Sequence, residues 1–227
     1  MRQDAWSQAR QPKDRMFADR MEAAAQLADA LAEYRGQRPL VLAIPRGAVP
    51  IGAVIARRLR GELDLVLVRK LHAPGAPEFA IGAVDESGWV YLAPHASEVG
   101  ATSGYVAEQK KLQLEELVRR RELYTPGRAR ADAAGRIAIV VDDGLATGST
   151  MLAALHAVRQ HGPARLVCAV PVASQESVKL VGAHADEVVC LDTPRRFHAV
   201  GQFYGSFPQL ADEEVVGLLR EAAAPAE

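Results

Sequence analysis

The chain of 227 residues is 49% hydrophobic and 24% charged, and its 27 basic and 28 acidic side chains leave a formal net charge of −1. That balance supports a full globular core, in one elaborated domain or two small ones, and it lacks the overall electrostatic footprint of a nucleic-acid binder, though a local basic patch stays open. No apolar run is long enough to cross a bilayer and the polar start has no signal-peptide core, so the expected setting is the cytoplasm, away from membranes.

Residues 1–13 are polar. Residues 14–35 read as an amphipathic helix, with Phe17, Met21, Ala24, Leu27 and Leu31 on one face and Gly36 as its stop. Residues 39–44 (PLVLAI) are a buried-strand run, followed by an Arg46-Gly47 turn and a helix through residue 60. Residues 63–68 (LDLVLV) form the next strand, ending in Arg69 and Lys70. Prolines and glycines then break the pattern, and residues 71–98 read as a flexible loop or ribbon over the sheet edge. Within it, residues 79–84 pair with 89–92 in a hairpin across 85–88; mobile lids are drawn from such segments. Residues 103–123 form a surface helix capped by Ser103, with Glu115–Arg119 and Glu116–Arg120 pairs and an inner edge of Leu114, Leu117, Val118 and Arg121.

Strand and helix alternate again beyond this point: strand 137–141, a helix carrying Met151, Leu152, Leu155 and Val158, strand 165–172, helix 175–183 and strand 187–191. Cys168 and Cys190 fall in two of these strands without ligand spacing and are expected as buried thiols, with neither zinc nor a disulfide. After Asp192 the chain is rich in aromatics, Gly and Pro, until Asp212 caps a final helix carrying Val215, Val216, Leu218 and Leu219. The repeated strand–helix units predict an α/β fold, an open, mostly parallel twisted sheet flanked by helices. Its expected parts are an N-terminal segment (1–38), a core (39–192) and a C-terminal segment (193–227), with the two terminal segments forming a small hood.

The most informative stretch is residues 136–152, RIAIVVDDGLATGSTML. A β-branched strand runs into the paired carboxylates Asp142 and Asp143, then a turn through Ala146, Thr147, Gly148, Ser149 and Thr150, then a helix. Helix entry leaves backbone N–H groups without partners and adds partial positive charge, so an anion is the natural occupant, and the hydroxyls of Thr147, Ser149 and Thr150 suit phosphate. Adjacent carboxylates would repel that anion unless they grip hydroxyls or a cation. The rival reading is that Asp, Gly, Ser and Thr are merely capping and turn residues.

VVDDGLATGST resembles the phosphoribosyl pyrophosphate (PRPP) signature of type I phosphoribosyltransferases, in which a hydrophobic run and an acidic pair precede a Thr-Gly-x-Thr turn. The fold expected above is that family's fold. The resemblance implies transfer of ribose 5-phosphate from PRPP to a nucleobase or related acceptor, with magnesium-dependent release of pyrophosphate. Asp142 and Asp143 would hold the ribose hydroxyls or Mg2+, directly or through water, and residues 146–150 the 5′-phosphate. IPRGAVPIG at 44–52 resembles the family's pyrophosphate loop, giving Arg46 and Gly47 that role, with Ala48 where relatives often have a second Gly.

Lys70 resembles the basic residue that relatives present to pyrophosphate, and a solvated lysine is the equal alternative. Arg69 alternates to the other side of the strand. Arg46, Lys70, Asp142 and Asp143 are thus the catalytic candidates. Phe203 and Tyr204, with Phe197 and Phe207, are candidates for stacking an acceptor. Relatives acting on 6-oxopurines carry Asp where this chain has Ala146, whereas Leu-Ala-Thr-Gly is similar to the adenine enzymes' turn; the acceptor stays open between purine salvage and related chemistry. Expected partners are therefore PRPP and an acceptor base, with a homodimer also open. The alternative is a non-catalytic regulator that binds PRPP or a nucleotide on the same fold.

Overall fold

The computed structural model describes residues 16–223. The strands are β1 (Leu40–Ala43), β2 (Glu62–Leu65), β3 (Val68–Ala73), β4 (Ala76–Asp85), β5 (Val90–Leu92), β6 (Ile137–Val141), β7 (Arg165–Val172) and β8 (Glu187–Asp192). The helices are α1 (Arg20–Ala30), α2 (Val49–Leu59), α3 (Ser103–Tyr124), α4 (Ser149–Arg159), α5 (Gln175–Gly182) and α6 (Asp212–Ala223). Five strands form a parallel sheet in the order β2-β1-β6-β7-β8, with Leu40 paired to Ala138 and Ile137 to Arg165. The chain winds outward in one direction from β1 and in the other from β6. A crevice therefore opens between the carboxyl ends of these two strands, the position at which open α/β sheets bind ligands.

Strand alternation splits the core in two. Val41, Ala43, Ile139, Val141, Val167 and Ala169 face one side, packed with Leu27 and Leu31 of the N-terminal region, Ile51 and Ile55 of α2, and Val215 and Leu219 of α6. Leu40, Leu42, Ala138, Val140, Leu166 and Cys168 face the other, against Met151, Leu152 and Leu155 of α4 and Val178 and Val181 of α5. Burying a large aliphatic side chain this way contributes about 1.5–3 kcal/mol, and β1, β6 and β7 do so on both faces. Helices of both terminal segments thus cover the sheet. The hood itself is smaller: Phe17 bridges Tyr204 in extended conformation, and Phe203, Phe197 and Phe207 pack around them.

Several sequence expectations need correction. The first helix begins at Arg20, because Asp19 accepts the amides of Met21 (2.8 Å) and Glu22 (2.9 Å) as its cap. Phe17 lies before the helix and is fully buried in the hood, while Met21 is 51% exposed; residues 14 and 15 lie outside the described residues. The inward stripe instead runs Arg20, Ala24, Leu27, with a charged residue at its head.

The strand expected at 63–68 is two: β2 ends at Leu65 in the parallel sheet, and Val68 begins a separate antiparallel sheet, β3-β4-β5. Lys70 is therefore on the ribbon, not at the end of a core strand. The hairpin across 85–88 is present, with Gly82 paired to Leu92, where a Cβ on Gly82 would lie 2.1 Å from the Tyr91 carbonyl oxygen.

Thr102, not Ser103, caps α3, accepting the Tyr105 amide at 3.2 Å. Glu116 binds both Arg119 (2.7 Å) and Arg120 (2.6 Å), taking the partner assigned to Glu115, and Val118 is 61% exposed. Asp212 is the first residue of α6 and binds Tyr124 instead of capping, while Glu214 takes the free Ala211 amide at 2.7 Å. Cys168 is buried and Cys190 partly so, and both are free thiols.

Candidate functional site

The crevice between β1 and β6 receives the loops that follow those strands. After β1 come Pro45, Arg46 and Gly47, and the Pro45–Arg46 peptide is cis. After β6 come Asp142, Asp143 and Gly144. The two loops touch: a Cβ on Gly47 would fall 1.9 Å from Asp143 Oδ2, so only glycine fits there. Gly144 is similarly confined, its Cβ position lying 2.6 Å from Val200 of the C-terminal segment.

Beyond Gly144 the turn is fastened from both sides. Leu145 donates to the Val172 carbonyl (3.0 Å) and accepts from the Ser174 amide (3.0 Å). The Ala146 carbonyl is bound by the hydroxyls of Ser174 (3.0 Å) and Ser177 (2.7 Å). Gly148, at φ 77°, is the helix cap of α4 in the left-handed region that glycine tolerates, and it lets the chain turn straight into the helix. Ala146 and Thr147 are exposed, Thr150 is half-buried and Ser149 is buried with its hydroxyl 3.4 Å from that of Thr147. The exposed turn, its hydroxyls and the first-turn amides of α4, which have no side-chain cap, together offer donors suited to an oxyanion.

The acidic pair is divided between the two faces of the sheet. Asp143 falls on the α1 side, where Arg20 donates to its Oδ2 from Nε (3.2 Å) and Nη2 (3.0 Å). Asp142 Oδ1 accepts the Asp143 amide at 2.9 Å. Burial, reinforced by the charge of Asp143, pushes the Asp142 carboxyl well above the usual carboxylate range, against the opposing pull of the Asp143 amide, Lys70 and Arg20. Burial also raises Asp143, opposed chiefly by Arg20. The pair is a poorly compensated concentration of negative charge that favours a cationic or hydroxylic ligand.

Lys70 is exposed on β3, and its charge reaches both carboxylates. Arg69 turns the other way and donates to Gln113 at 3.0 Å, as strand alternation requires. Arg46 is half-buried, its Nη1 lying 3.6 Å from Asp212 Oδ1. The same carboxylate accepts the Tyr124 hydroxyl at 2.5 Å, and burial followed by that bond pushes the phenol up to about 12. Phe203 and Tyr204, at 4% and 5% exposure, have no open ring face for an acceptor. Tyr204 stacks on Phe207 at 4.8 Å, and its hydroxyl donates to the Asp143 carbonyl at 2.7 Å, so it is a strut of the acidic loop.

The sequence reading missed Arg20, Ser174 and Ser177. A cation heading the apolar stripe of α1 was the available sign of the first. The others look like ordinary helix-capping serines, and Ser174 does cap α5.

Among the described residues no group of three or more His, Cys, Asp or Glu side chains gathers as a metal cage. Asp142 and Asp143 offer at most two carboxylates, and Arg20 already holds one of them. That set fits magnesium, which takes one or two carboxylates and completes its shell with water and substrate phosphate.

Comparison with known proteins identifies the family. A model of the phosphoribosyl transferase domain matches residues 11–204. Two Mycobacterium tuberculosis proteins, from strains CDC 1551 and H37Rv, provisionally named phosphoribosyl transferases, are each 44% identical over 211 residues. The match covers 92% of this chain and 47% of theirs, so the chain spans about half the length of these relatives. The crystal structure of TT1426 from Thermus thermophilus is 48% identical with a TM-score of 0.77, covering 92% of this chain and 100% of that one. The chain belongs to the phosphoribosyl transferase family, of type I.

Proposed function

We propose that the chain transfers ribose 5-phosphate from PRPP to a nucleobase or a related acceptor. The contact that carries the reading is Gly47 against Asp143, since it joins the Arg46-Gly47 loop and the acidic pair in one crevice beside the turn 146–150. A ligand with a phosphate at one end, hydroxyls in the middle and a pyrophosphate at the other matches those three parts in order.

In this reading the amides and hydroxyls of residues 146–150 hold the 5′-phosphate. The acidic pair serves the ribose hydroxyls or, with Mg2+, the ribose oxygens, and Lys70 and Arg46 receive the pyrophosphate. A nitrogen of the acceptor bonds to the anomeric carbon as its bond to the pyrophosphate oxygen breaks. The leaving group carries away the electron pair, and the proton shed by the acceptor nitrogen passes to the released pyrophosphate or to solvent. Mg2+ when bound supplies charge neutralisation to the pyrophosphate. Positioning and fixed charge around the oxocarbenium-like state supply the acceleration. Arg46 must exchange its partner Asp212 for the pyrophosphate, which the loose 3.6 Å contact permits.

The test is pyrophosphate release from PRPP with magnesium across a panel of nucleobases and related acceptors. Release with at least one acceptor is expected. Tight PRPP binding without release on any of them would favour the regulatory alternative, and absence of PRPP binding would remove both. The proposal includes no nucleic-acid partner. Among the described residues no helix is long and apolar enough to cross a membrane.

A further inference from the structure

Among the described residues Arg20 is one of the few buried charged side chains, 8% exposed, and it meets both the acidic loop and the hood. It donates twice to Asp143, its Nη1 donates to the Pro208 carbonyl at 2.8 Å, and its guanidinium carbon lies over the Phe207 ring, 3.8 Å from the centroid. Its Nη2 is also 3.3 Å from where a Cβ of Gly47 would be. A planar fork with a stacking face is what such a junction needs, and lysine offers neither. Every hydrogen-bonding and stacking contact is with a group beyond its own helix, in the acidic loop or the hood.

The alternation of β6 gives this junction its consequence. Ile139 and Val141 face the α1 side of the sheet and Ala138 and Val140 the α4 side. Asp143 continues the first series and meets Arg20; Asp142 continues the second, towards the side on which α4 and its phosphate turn stand. The carboxylates are adjacent in sequence and differently employed.

We propose that Arg20 is a positioning residue that fastens Asp143 to the hood, leaving Asp142 as the carboxylate that meets the ribose or its metal. The acidic pair is then one strut and one ligand group. This deepens the phosphoribosyltransferase reading and rests on it. It also explains why a hood made from distant chain segments is needed: Pro208 and Phe207 complete the sphere of Arg20, which in turn holds the acidic loop. Arg20 acts through Asp143 and touches no substrate.

Calorimetric titration of the full chain with PRPP and magnesium, and separately with inorganic phosphate, tests this. Phosphate alone reads the turn 146–150. Arg20→Gln should weaken PRPP binding about tenfold or more, the scale of losing a buried charged partner, while phosphate affinity falls far less. Arg20→Lys should recover part of the loss because it keeps the charge and lacks the fork. Asp142→Asn should weaken PRPP more than Asp143→Asn, and adding Arg20→Gln to Asp143→Asn should cost little further, because the two act as a unit.

Equal losses for PRPP and phosphate, additive double variants, or an Asp143→Asn loss as large as that of Asp142→Asn would each overturn the assignment. Should the Gln variant fail to fold, Arg20→Lys with Asp143→Asn completes the same cycle. Wild-type protein that binds phosphate and not PRPP defeats the functional reading itself, an outcome distinct from wild-type binding that Arg20→Gln leaves unchanged.

Discussion

The acidic pair and the phosphate turn are consecutive halves of one loop, yet they are built in opposite ways. Residues 146–150 are finished by local geometry: a left-handed Gly148, a helix start and hydroxyls within the same few residues. Their main outside support is the pair of serines that hold the Ala146 carbonyl. Asp142 and Asp143 are finished by residues far away in the chain, Arg20, Gly47, Lys70 and Tyr204. A neutral hydrogen-bonding cradle can be assembled from backbone, because each amide is supplied by the chain itself. Two adjacent carboxylates at a half-buried position cannot, because their charge needs a cation, and the cation has to come from another element.

This contrast can be broken or sharpened by substitution. The largest effect is expected from Gly47→Ala, whose methyl would overlap Asp143 and push the Arg20 pair apart. A stability loss of about 3 kcal/mol, read from thermal or urea unfolding, is expected, as for a disrupted buried ion pair. An undiminished midpoint would mean that the two loops separate freely.

Tyr204→Phe removes the strut to the Asp143 carbonyl and should cost about 1 kcal/mol, with faster hydrogen exchange in residues 203–206. Unchanged exchange would detach the hood from the acidic loop. Thr147→Ala, in the exposed local half, should leave stability within about 0.5 kcal/mol and lower phosphate affinity roughly fivefold. A stability loss matching that of Tyr204→Phe would show the turn to depend on tertiary contacts as well.

Asp142→Asn should act in the opposite direction on the unliganded protein. The folded carboxyl is raised by burial and by Asp143, so the folded state holds its proton more tightly than the unfolded chain does. That contribution is fully present below the unfolded value of about 3.9 and is lost as pH rises through the raised folded value. The wild-type midpoint should therefore fall from mildly acid to neutral pH, and the Asn variant should show a flatter profile and greater stability at neutral pH. A wild-type profile that rises towards neutral pH would show that Arg20 fully compensates the pair. Stability gained at the expense of ligand binding is the usual signature of a functional charge.

How much was legible follows the same division. The parallel strands, α4 and α5 could be read because β-branched runs and helical periodicity are properties of neighbouring residues. The hairpin between β4 and β5 was legible for the same reason, through the turn-prone residues 85–88. The break between Leu65 and Val68 was not, since LDLVLV is one continuous apolar run and only its pairing with two different sheets divides it. Phe203 and Tyr204 read as candidates for stacking an acceptor, with ordinary packing as the alternative, and Phe17 arrives from the opposite end of the chain and closes over them.

By itself, the sequence determined the alternation of strands and helices, the anion-suited turn at 146–150, the glycine-bounded loop at 46–47 and the family to which they belong. Those features depend on backbone geometry and side-chain type over short spans. The tertiary structure alone decided that β1 and β6 adjoin and that Arg20, from the other end of the chain, carries Asp143. These are properties of elements brought together from remote positions, and a buried charge is resolved only by whichever remote partner the fold delivers to it.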